Sequence, residues 1–72
     1  MGEERTEVKR VIQHKRTGLY LTSEGAWTAQ VQEAEHMPNV LAAVRRSREL
    51  NLSEVELVLK FESGQYDVRL DL

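Results

Sequence analysis

Gly18-Leu-Tyr-Leu-Thr-Ser-Glu-Gly-Ala-Trp-Thr28 is the stretch on which the reading of the fold turns. It holds the only Trp, one of two Tyr and two of four Gly in the chain. Leu19 to Thr22 alternate as a strand does, and Ser23-Glu-Gly25 has the composition of a turn. Trp27 then returns as a large apolar anchor. Thr28 has the side chain of an N-cap, so the spacing predicts a short helix over 29–35 with Val31 and Ala34 on one buried stripe.

Toward the N-terminus, Val8 to Lys15 reads as a strand. Val8 and Ile12 share one face, with Arg10 and His14 between and beyond them, and Val11 takes the other. Lys15-Arg-Thr-Gly18 is turn chemistry, with Gly18 at positive φ closing a hairpin. Pairing His14 with Leu19 sets Gln13 opposite Tyr20, so that Leu19 and Leu21 face the core and Tyr20 faces away. Residues 1–6 read as a charged, flexible lead-in, and 7–72 as one domain.

Toward the C-terminus, Pro38 interrupts and Asn39 caps a main helix over Val40 to Leu50. At about 100° per residue, Met37, Val40, Leu41, Ala43, Val44, Ser47 and Leu50 fall on one side, with Arg45, Arg46 and Glu49 opposite. The small Ala43 and Ser47 at the centre of that stripe would let the helix approach a sheet closely. Asn51 ends the helix in the left-handed conformation, with Leu52 folding back. Val55, Leu57, Leu59 and Phe61 then alternate with polar residues, as do Tyr66, Val68, Leu70 and Leu72. A turn at Ser63-Gly64 pairs Phe61 with Tyr66, Leu59 with Val68 and Leu57 with Leu70. The fold class is α+β: two β-hairpins flanking a short and a longer helix, in a four-stranded, mainly antiparallel sheet with one helical layer. The expected strand order is 2-1-3-4, with 1-2-3-4 as the alternative.

The phrases Gly18-x-Tyr-Leu21, Gly25-x-Trp-Thr28 and Ala34-x-x-Met37 resemble small uncharacterised domains of bacterial and phage genomes. Those carry Gly-x-Tyr-Leu, Gly-x-Trp-Thr and Ala-x-x-Phe before a Ser-capped helix. Met37 stands here for the usual Phe, and Asn39 for the usual Ser. The resemblance spans roughly residues 11 to 50. It implies a compact fold of hairpin, helix and strands, and no activity.

A chain of 72 residues buries only about 60% of the surface its unfolded form exposes, so a partner or a second copy would add useful stability. The absence of Cys removes disulfides, thiolate metal sites and thiol nucleophiles. No signal peptide and no run near the ~20 apolar residues of a membrane span is present, which points to a cytoplasmic protein without a membrane partner. A net charge of −2 offers no overall attraction to nucleic acid.

His14 and His36 lack the spacing of a metal pair, and no cofactor motif occurs. Glu33, Glu35, Glu54, Glu56, Asp67 and Asp71 fall on solvated faces, so no catalytic residue is assigned and no enzyme is expected. Two binding surfaces remain. Val11, Tyr20 and Val58 point away from the helix, on a sheet face that no second layer covers, and would serve an unknown protein partner or a homodimer. Lys9, Arg10, Lys15 and Arg16 on the first hairpin form the alternative, a patch for single-stranded nucleic acid, weakened by the acids interleaved with it.

Overall fold

Val8–His14, with apolar side chains on both faces, forms β1, the middle strand of the sheet. The computed structural model describes residues 8–61 and 67–72. The lead-in over 1–6, the turn at Ser63-Gly64 and the pairing of Phe61 with Tyr66 lie outside the described residues. Tyr20–Leu21 (β2) and Trp27–Thr28 (β3) follow, then the helix Val40–Glu49 (α1) and the strands Val55–Phe61 (β4) and Asp67–Asp71 (β5). Among the described residues one α-helix thus accompanies a five-stranded antiparallel sheet of order β3-β2-β1-β4-β5.

The first turn forms as its chemistry dictates. Gly18 sits at φ 76°, its N–H donates to the His14 carbonyl at 2.9 Å, and Gln13 stands opposite Tyr20. The C-terminal hairpin keeps the register read from alternation, with Leu57 opposite Leu70 and Leu59 opposite Val68. β1 and β4 pair along their whole length, from Val8 against Phe61 to His14 against Val55. The four strands foreseen therefore stand in the order 2-1-3-4, as expected.

The sheet has a fifth strand beyond the four that alternation predicts. Trp27–Thr28 folds back on Tyr20–Leu21 as a hairpin rather than leading into a helix. The cause is the turn between them. The Thr22 hydroxyl accepts the N–H groups of Glu24 and Ala26, Gly25 takes φ 83°, and Thr22 N–H reaches the Ala26 carbonyl at 2.8 Å. Only a 3-10 turn, Val31–Glu33, occupies the span expected to be helical. So short a segment cannot offset the cost of nucleating a helix, and its backbone is taken by the sheet instead. Glu35 N–H donates to the Leu21 carbonyl and Met37 N–H to the Arg10 carbonyl, at 2.8 and 2.7 Å.

α1 begins where Asn39 Oδ1 accepts the Ala42 N–H at 2.8 Å. It ends in a Schellman arrangement: Leu52 N–H to Ser47 carbonyl, Asn51 N–H to Arg48 carbonyl, Asn51 at φ 52°. Its buried residues are Ala43 and Ser47, the small pair at the centre of the predicted stripe. Ile12, Leu21, Met37, Val55 and Leu57 pack with Ala43, and Trp27, Leu52, Leu59 and Leu72 lie against that cluster. Burying each large aliphatic side chain contributes roughly 1.5–3 kcal/mol gross.

The outer positions of the stripe depart from expectation. Val40 and Leu41 remain 45% and 58% exposed, and Leu50 is exposed as well. Val40 and Leu50 stand at the two ends of the helix, past the residues that touch the sheet, and Leu41 points away from the Ala43–Ser47 line. Arg46, expected in solvent, is half-buried. Its Nε donates to Glu35 Oε1 at 2.8 Å and its Nη2 to the Ser23 carbonyl at 2.9 Å, tying the helix to the β2–β3 turn.

Candidate interaction surfaces

The face of the sheet opposite the helix is built by alternation. β1 contributes Lys9, Val11 and Gln13, β4 contributes Glu56, Val58 and Lys60, and β5 contributes Asp67, Arg69 and Asp71. Tyr20 joins from β2 beside Gln13. Val11 and Val58 stand opposite each other at the centre, facing away from the helix as read. Their exposure corrects the expectation: Val11 is 1% and Val58 0% accessible, and Tyr20 is half-buried.

Long polar side chains provide the cover. Arg69 Nη1 donates to Glu56 Oε2 at 2.6 Å and to Gln13 Oε1 at 2.7 Å, passing over β4 to reach β1. Lys60 Nζ lies 5.6 Å from the Tyr20 ring centroid and 2.9 Å from Asp67 Oδ2. Lys60 flanks Val58 at one end of the ladder and Tyr20 flanks Val11 at the other. The two groups meet only by leaning across the valine pair. The stems of charged residues bury apolar surface while their heads stay wet, which alternation alone does not reveal.

The four basic residues of the first hairpin are not brought together. Lys9 is exposed on this polar face, across from Lys60, whereas Arg10 stands on the helix side opposite Leu59. Lys15 Nζ is 2.6 Å from Asp71 Oδ1, and Arg16 Nη1 is 3.6 Å from Glu54 Oε1. The hydrogen bond to Asp71 holds the Lys15 pKa above the ordinary lysine value. At Lys60, burial disfavours the charged form, but the hydrogen bond to Asp67 and the nearby Tyr20 outweigh it and the pKa is again raised. Two of the four cations thus carry carboxylate partners.

The two histidines stand apart, one packed and one in solvent. His14 meets Trp27 edge-on at 5.4 Å between ring centroids, and its Nδ1 accepts the Arg16 N–H at 3.1 Å. His36 is exposed. Among the described residues no three His, Asp or Glu side chains converge as a metal site would require. No helix among them is long and apolar enough to cross a membrane. Acids that could have formed a pair are matched to cations instead, Glu35 with Arg46, Glu56 with Arg69 and Asp67 with Lys60.

Exposed apolar surface lies on the other side of the molecule. Val40 and Leu41 belong to α1, Leu50 caps its C-terminal end, and Leu70, 39% exposed, belongs to the outermost strand β5. Beside them, Val44, Ser47, Arg48, Asn51, Leu52 and Leu72 line an open depression of about 390 Å³ between the C-terminal half of the helix and the end of β5. Leu41 shares its side of the helix with Val44 and Arg48, so that side faces β5. Helical periodicity placed Val40, Leu41, Val44 and Leu50 on the inward stripe with Ala43 and Ser47. Of these only Ala43 and Ser47 are buried, and Val40, Leu41 and Leu50 are left exposed.

Compared with known proteins, the chain matches no family model, no curated protein and no solved structure.

Proposed function

We propose that this chain is a small, non-catalytic protein-interaction domain, and that it binds through the helix side of the sheet rather than the polar side. The observation that carries this reading is the segregation of exposed apolar residues. Val40, Leu41, Leu50 and Leu70 lie on or beside α1, while the opposite face hides its two valines under paired charges. An apolar surface rimmed by Arg48 and Asn51 has the composition of a protein-binding site, in which an apolar centre excludes water and a polar edge sets orientation. Charge pairing of the carboxylates is the reason for reading no catalysis into the domain. The resemblance carried by Gly18–Leu21 and Gly25–Thr28 adds no activity.

Leu41→Asp tests the reading. Leu41 is exposed and in the first turn of α1, where an acid interacts favourably with the helix N-terminus, so the fold should be retained. A partner captured by the unmodified chain should bind again when both are purified, and the substitution should weaken that binding at least tenfold. Binding that survives Leu41→Asp unchanged would move the interface elsewhere. A gel shift of a short single-stranded oligonucleotide at low salt would instead favour the basic hairpin.

A further inference from the structure

Strand β5 is a sheet edge of five residues, whereas β3 at the other edge has two. It contains no Pro or Gly, and among the described residues its helix side, Val68, Leu70 and Leu72, carries no charge that would blunt the edge. There Val68 is half-buried, Leu70 is exposed and Leu72 is half-buried. Charges are confined to the other side, at Asp67, Arg69 and Asp71.

From this edge we infer that the chain pairs with a second copy of itself, β5 against β5, antiparallel about a two-fold axis through Leu70. The inference deepens the interaction reading above and rests on it, since it names the partner for part of the same apolar surface. The order Val68-Arg-Leu-Asp-Leu72 reads apolar, basic, apolar, acidic, apolar, and is complementary to its own reverse. A two-fold axis at Leu70 sets Leu70 against Leu70 of the second copy and Val68 against its Leu72, twice over. On the polar side it sets Arg69 opposite Asp71 of the second copy, also twice. Opposite charges directly across a ladder stabilise it.

The neighbouring register argues for this one by contrast. An axis at Arg69 would oppose Arg69 to Arg69 and Asp67 to Asp71, three like-charge contacts on one face. Only registers that keep each face on its own side are open to a two-fold pair, so the next choice is two residues away. The charges therefore select the Leu70 axis. Both helices would lie on the same side of the joined sheet, flanking a floor made by Val68, Leu70 and Leu72 of each copy.

Pairing over so few residues is small beside the roughly 1,600 Å² of a standard interface, so association in the micromolar range or weaker is expected. Sedimentation of the full chain from micromolar to millimolar concentration should show the mass rising toward that of a dimer, and Leu70→Lys should abolish the rise. Charge complementarity is tested by mixing. Asp71→Arg alone and Arg69→Asp alone should each be monomeric, because each opposes like charges. An equimolar mixture should associate at least as well as the unmodified chain, with circular dichroism confirming that each variant is folded. A chain that stays monomeric throughout, or a Leu70→Lys variant that still associates, would overturn the pairing. The interaction reading would survive that result, because its own test turns on Leu41 and a different protein. Should one charge variant fail to fold, Leu70→Lys still decides the question.

Discussion

Arg69 on the outermost strand and Gln13 on the central strand, 56 positions apart in sequence, are joined by a 2.7 Å hydrogen bond across β4. The same Nη1 serves Glu56 at 2.6 Å, and Gln13 passes the connection on through Nε2 to the Gly18 carbonyl at 2.8 Å. A continuous polar strap thus runs from β5 to the first turn beside Val11 and Val58. It does for the polar face what the helix does for the other.

Arg69 should therefore matter more than an ordinary surface arginine. Arg69→Ala removes the apolar stem and leaves Glu56, itself largely covered, without its partner. A loss of about 1–2 kcal/mol is expected, against the few tenths typical of exposed ion pairs. Arg69→Met keeps much of the stem and should lose less. Urea midpoints measured at concentrations where the chain is monomeric check this. An Arg69→Ala midpoint equal to that of the unmodified chain would show that the strap contributes nothing.

Glu54 is held at φ 59° just before β4, where its carbonyl accepts the Lys15 N–H at 2.8 Å. A side chain in this left-handed conformation costs about 1 kcal/mol or more, and glycine adopts it without that cost at some expense in chain entropy. Glu54→Gly should stabilise the domain by up to ~1 kcal/mol once those terms are set against each other. Glu54→Ala loses the same loose contact with Arg16 without relieving the backbone, so it should not stabilise. Identical midpoints for the Gly and Ala variants would rule out backbone relief.

Raised lysine pKa values give a stability term with a definite direction. Lys15 and Lys60 bind their protons more tightly in the folded chain than at the ordinary value of 10.5. Their contribution is fully present below that pH and is lost as pH climbs through the folded-state values. Asp67→Asn removes a hydrogen-bonding carboxylate that raises Lys60. The Tm difference between the unmodified chain and Asp67→Asn should be constant near neutrality and shrink above pH 10.5. A difference that holds steady through strongly alkaline pH would separate Lys60 from the effect.

Local chemistry was sufficient for the individual elements. Alternation over 55–61 and 68–72, the Asn39 cap, the left-handed Asn51 and the positive φ of Gly18 each depend on residues within a few positions of one another. They could be read from the chain, and so could the register of Gln13 against Tyr20. The β2–β3 hairpin was legible in part: the Thr22 hydroxyl and Gly25 specify its turn, but Thr28 offers the same oxygen to a helix cap and to a strand end. Thr28 Oγ1 does accept the Gln30 N–H at 3.0 Å, as a capping residue would, without an α-helix following.

Burial was decided by the tertiary structure alone. Alternation assigns Val11 and Val58 to the face away from the helix, but it cannot say what lies above them. That depends on Tyr20, Lys60 and Arg69 arriving from three different strands, each with a side chain long enough to lean across a neighbour. Periodicity likewise puts Leu41 and Val40 on the apolar side of α1, while the closeness of Ala43 and Ser47 to the sheet determines how wide the contact is. Sequence period sets the direction of a side chain; whether water reaches it depends on the reach of residues that only the folded sheet makes neighbours.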